Sequence, residues 1–129
     1  MSISIKPTVF ERIYAKGILK KATLTNGTIL RWHSNGKRAL MKQLNGAGCL
    51  FDENGSKIFE KLEDGTRRVF KNGLLEFEHV PNKIMRFFDK KGMLKEEQLS
   101  NGTVRLFKEG KVIQECLKDG AVPVLNKFV

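Results

Sequence analysis

Apolar positions fall in short runs, and the runs are cut at steps of 8 to 10 residues by turn dipeptides. These are Lys16-Gly17, Asn26-Gly27, Asn35-Gly36, Asn45-Gly46, Asn54-Gly55, Asp64-Gly65 and Asn72-Gly73. After Pro81-Asn82 come Lys91-Gly92, Asn101-Gly102, Glu109-Gly110 and Asp119-Gly120. Asn-Gly and Asp-Gly are the favoured pairs of two-residue type I′ hairpin turns, where both residues take positive φ. The gaps hold strands of about six residues and exclude a helix of three turns. No segment keeps apolar residues at 3.6 spacing, so the pattern predicts an all-β chain.

Every second turn sets a longer period. From Thr8 the register points are Asn26, Asn45, Asp64, Asn82, Asn101 and Asp119, at steps of 18 or 19 residues. Six residues after each stands Tyr14, Trp32, Phe51, Phe70, Phe88, Phe107 or Leu125. The preceding residues are Ile13, Arg31, Leu50, Val69, Phe87, Leu106 and Val124. One position earlier again, arginine recurs at Arg12, Arg68, Arg86 and Arg105. Leu24, Leu62, Val80, Leu99 and Leu117 match in the return segments. Each repeat is thus expected to be a β-hairpin of 18–19 residues, in a stacked, quasi-one-dimensional array.

Alternation of side chains along a strand puts the aromatic and arginine columns on one face and the aliphatic column on the other. Each face then carries an apolar stripe amid charge, which a two-layer sandwich would not. The expectation is a repetitive antiparallel meander of roughly thirteen short strands, largely a single-layer extended sheet and one domain over residues 1–129. A closed barrel or a sheet folded over itself is the second possibility. The segments Ser2–Pro7 and Val122–Val129 read as end strands, with Pro7 and Pro123 limiting further pairing.

Composition narrows the function. The chain has 129 residues, 40% hydrophobic and 29% charged, with net charge +10. No apolar run is long enough for a membrane-spanning helix, and no signal-peptide pattern opens the chain. Cys49 and Cys116 have no paired spacing. The expectation is therefore a cytoplasmic protein. His33 and His79 lie far apart without metal-ligand spacing. The acidic pairs Asp52-Glu53 and Glu96-Glu97, read as strand neighbours, would point to opposite faces. No nucleophile elbow, phosphate loop or dinucleotide fingerprint occurs. Neither enzymatic activity nor a cofactor nor a metal is expected.

Charge is concentrated. From Arg12 to Phe51 no acidic residue occurs, and the stretch holds Arg12, Lys16, Lys20, Lys21, Arg31, Lys37, Arg38 and Lys42. Tyr14, Trp32 and His33 lie in the same stretch.

The segments Asp64-Gly-Thr-Arg-Arg-Val-Phe-Lys-Asn-Gly73 and Asn101-Gly-Thr-Val-Arg-Leu-Phe-Lys-Glu-Gly110 resemble the G-box repeat. That repeat forms the C-terminal domain of the T-complex protein ten family, which includes centriolar scaffold proteins. MORN-like and YwqK-like hairpin repeats are more distantly similar. The resemblance covers about residues 8–122 and implies an exposed single antiparallel sheet. It also implies a platform for a partner peptide, sometimes end-to-end association, and a centriolar or cytoskeletal location. This chain lacks the family's frequent Pro-Asp-Gly turns, and Asn82-Lys83 replaces one Asn-Gly. The family's peptide-contacting aromatics correspond to Tyr14, Trp32, Phe51 and Phe70.

The leading expectation is a non-enzymatic scaffold module that binds a protein or peptide on the aromatic-arginine face or along a sheet edge. Its candidate residues are Tyr14, Trp32, Phe51, Phe70, Arg12, Arg31 and Arg68, with weak end-to-end self-association as a further expectation. The alternative is nucleic-acid or anionic-lipid binding through Lys16, Lys20, Lys21, Lys37, Arg38 and Lys42.

Overall fold

The computed structural model describes residues 8–117. The expected end strands, with Pro7, Pro123, Val124, Leu125 and the Asp119-Gly120 turn, lie outside the described residues. The first strands are β1 (Val9–Ala15), β2 (Ile18–Leu24), β3 (Ile29–Trp32) and β4 (Arg38–Lys42). They are followed by β5 (Gly48–Phe51), β6 (Lys57–Lys61), β7 (Arg67–Lys71) and β8 (Leu74–Val80). The last are β9 (Ile84–Phe88), β10 (Leu94–Leu99), β11 (Val104–Lys108) and β12 (Lys111–Cys116). All twelve belong to one sheet in chain order, and within β1–β6 and within β7–β12 each strand is antiparallel to the next. The described residues contain no helix, and β1 does not pair with β12, so the sheet is an open meander rather than a barrel.

Contacts divide the chain into two compact units, Met1–Glu63 and Asp64–Val129. In each, face A is the side bearing the aromatic column, and face B is the opposite side.

Six strand pairs form the hairpins, and each has a register shift at the same place. In the first, Ile13 pairs with Lys21 but Tyr14 with Leu19, which leaves Lys20 as the extra residue. The corresponding extra residues are Ala39, Ile58, Glu76, Lys95 and Ile113. These are β-bulges, which bend the bulged strand and increase its right-handed twist. The pairings β2–β3, β4–β5, β8–β9 and β10–β11 carry no such shift next to the aromatic column. Of these extra residues Ile58, Glu76, Lys95 and Ile113 lie open to solvent, while Lys20 and Ala39 are half-buried.

The turns correct the reading of Asn-Gly as a uniform type I′ signal. Among the described residues both members of a turn pair have positive φ only at Lys16-Gly17, Asn72-Gly73 and Glu109-Gly110. In the loop after β2 only Gly27 has positive φ, while its N–H bonds to the Leu24 carbonyl at 3.0 Å. That is a type I turn closed by a left-handed glycine, the geometry of a three-residue hairpin loop. The Asn26 Oδ1 accepts the Thr28 N–H at 3.0 Å. The same acceptor bond recurs from Asn35 to Lys37, Asn45 to Ala47, Asp64 to Thr66 and Asn101 to Thr103. An Asx side chain thus satisfies a backbone donor locally, and this holds Asn or Asp at negative φ. The Thr66 N–H bond also holds the exposed Asp64 carboxyl below its ordinary value. Pro81-Asn82 makes a different turn: Asn82 has φ of 62° and Lys83 N–H bonds to the Val80 carbonyl, the type II pattern.

Burial is shallow, as one layer requires. Ala22 is the one apolar residue among those described that is buried, and no large side chain is fully enclosed. Thr28, Thr66 and Thr103, each two residues after an Asx, are buried as well. Packing is therefore mostly between neighbours on adjacent strands. In the second unit Phe77 and Phe87, paired across β8 and β9, have ring centroids 5.1 Å apart.

Gly48 gives a test of the first unit. A Cβ there would lie 2.5 Å from the Met41 carbonyl oxygen and 3.2 Å from the Lys42 Cα, both backbone atoms of β4. Gly48→Ala must therefore shift the β4–β5 pairing. It is expected to lower stability by about 1–3 kcal/mol in urea melts, whereas a change at the exposed Ser34 should leave the midpoint unmoved.

Candidate functional site

Three surfaces carry the candidate chemistry. On face A of the first unit, the bulges align a row at the end of the sheet that holds the Lys16-Gly17 turn. Tyr14 pairs with Leu19, Trp32 with Arg38, and Phe51 with Lys57. The Arg38 guanidinium lies over the Trp32 ring, 5.8 Å from its centroid, close enough for a cation–π contact. Trp32 and Phe51 are half-buried, while Tyr14 is 57% exposed. The turns beside this row brace each other. The His33 ring Nε2 lies 2.8 Å from the Phe51 carbonyl, and Asn35 Nδ2 donates to the Glu53 carbonyl at 2.7 Å. Lys37 Nζ donates to the Asn54 carbonyl at 3.2 Å.

The second surface is the outer strand. Among the described residues β1 has one strand neighbour, β2, and all seven of its residues are exposed. Phe10 is 73% exposed, and Ile13 and Tyr14 are also exposed.

Face B of the first unit is the third surface. One row runs Ile13, Lys21, Arg31, Leu40, Leu50, Phe59. The next runs Glu11, Thr23, Ile29, Lys42, Gly48, Lys61. Lys21 and Arg31 are directly opposite each other, a like-charge pair, and neither has a carboxylate within ion-pair distance. Lys42 and Lys61 flank Gly48, which has no side chain to separate them.

In the second unit three arginines of face A meet glutamates on neighbouring strands. Arg68, Glu78, Arg86, Glu97, Arg105 and Glu115 stand in register on β7 to β12 along face A. Arg68 Nε reaches Glu78 Oε2 at 2.7 Å, and Arg86 Nη1 reaches Glu78 Oε1 at 2.7 Å. Arg86 Nε lies 3.2 Å from Glu97, Arg105 Nη1 lies 3.8 Å from Glu97, and Arg105 Nε lies 2.7 Å from Glu115. Burial opposes ionisation of Glu78, but its bonds to Arg68 and Arg86 outweigh burial and hold the carboxyl below its ordinary value. The Glu78 hydrogen bond likewise raises Arg86. In the first unit the equivalent row is Arg12, Ala22, Leu30, Met41, Cys49, Glu60, largely apolar.

The expected site residues divide between two faces of the first unit and the second unit. Tyr14, Trp32, Phe51 and Arg12 share face A of the first unit, whereas Arg31 projects from face B. Phe70 and Arg68 belong to the second unit, where Arg68 is engaged by Glu78. The expected polyanion set also divides. Lys21 and Lys42 lie on face B, and Lys16 and Lys20 lie at the first turn and bulge. Lys37 bonds to the next turn, and Arg38 stacks on Trp32. Asp52 is a turn residue rather than a strand residue, and it accepts the N–H groups of Asn54 and Ser56. Glu97 faces the arginines while Glu96, on the other face, bonds to Gln98. Lys61 is a member of the cationic face that the acid-free stretch did not include; its alternation with Glu60 was the available signal. Cys49 and Cys116 are free thiols on different units. The described residues hold no cluster of three or more metal-ligating side chains.

No protein-family model matches the sequence, and none of the curated proteins searched matches it.

Two outcomes follow from the charges. A carboxylate with a lowered value in the folded state stabilises above its ordinary value, 4.5 for Glu78, and that contribution is lost as pH falls through the lowered value. Wild-type stability should thus fall as pH drops below 4.5, and Glu78→Gln should show a smaller acid-dependent fall in melts. Lys21→Glu, which turns a like-charge pair into an opposite-charge pair with Arg31, should raise stability by about 0.2–1 kcal/mol at low salt.

Proposed function

We propose that the protein is a non-enzymatic interaction module that receives a partner segment at β1 and the adjoining aromatic row Tyr14, Trp32 and Phe51. The carrying observation is β1, which among the described residues has β2 as its one strand neighbour and whose seven residues are all exposed, Phe10, Ile13 and Tyr14 among them. An edge strand offers unpaired N–H and C=O groups, and soluble proteins usually blunt such edges or use them. Adding a partner strand supplies main-chain hydrogen bonds, and alternating side chains give specificity. On face A the added strand would run beside Tyr14, with Trp32 and its stacked Arg38 farther in. Tyrosine, tryptophan and arginine are the residue types enriched at interaction hot spots. The G-box resemblance supports the same reading, because it implies a peptide platform on an exposed sheet.

Capture from native extract with and without nuclease tests this. Protein partners should remain after nuclease treatment. Tyr14→Ala and Trp32→Ala should each weaken a purified partner by about tenfold or more, with little change in melting temperature for the exposed Tyr14. If reversal of Lys16, Lys20, Lys21, Lys37, Arg38 and Lys42 to Glu abolishes capture, while Trp32→Ala leaves it intact, the polyanion reading replaces this one.

A further inference from the structure

We propose that face B of the first unit docks an acidic protein segment, whose carboxylates pair with Lys21, Arg31, Lys42 and Lys61. This surface lies opposite the aromatic row and does not rest on the reading of that row.

The two units treat their cations differently. In the second unit every arginine of the ladder has a glutamate on a neighbouring strand within 4 Å. The same sheet geometry in the first unit sets Lys21 against Arg31 with no carboxylate between them. Like charges directly opposite on adjacent strands are destabilising. Glu11, the one acidic strand residue on this face, stands on β1 opposite Thr23 and makes no ion pair. The cations are accessible: Arg31 and Lys42 are exposed, and Lys21 and Lys61 half-buried.

Their spacing fits a chain laid across the strands. Lys21 and Arg31 are about 5 Å apart as opposed residues, and Lys42 is about 7–8 Å from Arg31 on the diagonal. Lys61 lies two strands beyond Lys42, about 10 Å away. Between the cations lie Ile13, Leu40, Leu50 and Phe59, of which Ile13 and Leu50 are exposed. A segment alternating acidic and apolar side chains would meet both kinds of contact. A nucleic acid would use the cations but finds no exposed aromatic ring on this face for stacking.

The test titrates the full chain with a synthetic peptide alternating glutamate and leucine. A single-stranded oligonucleotide and phosphatidylserine vesicles are run in parallel. The peptide should bind, weaken with added salt, and lose about tenfold for each of Arg31→Gln and Lys42→Gln. Lys21→Glu should weaken the peptide further while raising the melting temperature, so that loss of binding cannot be loss of fold. Trp32→Ala should leave peptide binding unchanged, which separates this surface from the aromatic row. No peptide binding, binding unaffected by the three substitutions, or tighter binding of the oligonucleotide or the vesicles would overturn the proposal.

Discussion

Cross-strand pairing has to do nearly all the packing in this protein. A sheet with no second layer cannot enclose large side chains, and among the described residues Ala22, at 3% exposure, is the one buried apolar residue. What stabilises each strand is the side chain opposite it on the next strand, at about 5 Å. The two units meet this constraint with different chemistry in equivalent rows, each on its own face A. One uses Ala22, Leu30, Met41 and Cys49, while the other alternates arginine with glutamate from β7 to β12. Each inner member of the ladder has an opposite charge on both sides, which makes the row a network rather than a set of isolated surface pairs.

The bulges and turns keep these rows aligned. Each hairpin places one extra residue on its second strand, beside the aromatic column, and so reverses side-chain alternation there. Without that extra residue, the register that opposes Arg68 to Glu78 could not coexist with the one that opposes Phe70 to Leu75. The 18-residue steps hold hairpins closed by the two-residue turns Lys16-Gly17, Asn72-Gly73 and Glu109-Gly110. The 19-residue steps hold hairpins closed by the longer turns at Asn35-Gly36, Asn54-Gly55 and Lys91-Gly92, so the rows survive both lengths.

The distribution of charge differs between the units. Where arginine is matched by glutamate, as in the ladder of the second unit, the charges are neutralised by their cross-strand neighbours. Where it is not, as at Lys21 and Arg31, the sheet carries an unbalanced field with apolar residues between the cations. Opposite faces of the same few strands therefore present different surfaces, one aromatic and one cationic, with the exposed β1 between them.

The sequence by itself determined the all-β class, the hairpin period and the column alignment. Asx-Gly pairs and short apolar runs are local signals, and local signals set turns and strand lengths. It also marked Arg68, Arg86 and Arg105 as equivalent positions. Their partners were not legible, because Glu78, Glu97 and Glu115 sit in return strands whose register depends on the bulge. Nor did the Asn-Gly pairs reveal their turn type: Asn72-Gly73 and Asn26-Gly27 are the same dipeptide in different backbone geometries. Which side chain closes a hydrogen bond, and how many residues the loop spans, decided that. The division of the basic stretch was likewise tertiary. Arg31 and Trp32 are sequence neighbours, yet the pleat sends them to opposite faces, and the bulge then opposes Trp32 to Arg38 instead of Ala39.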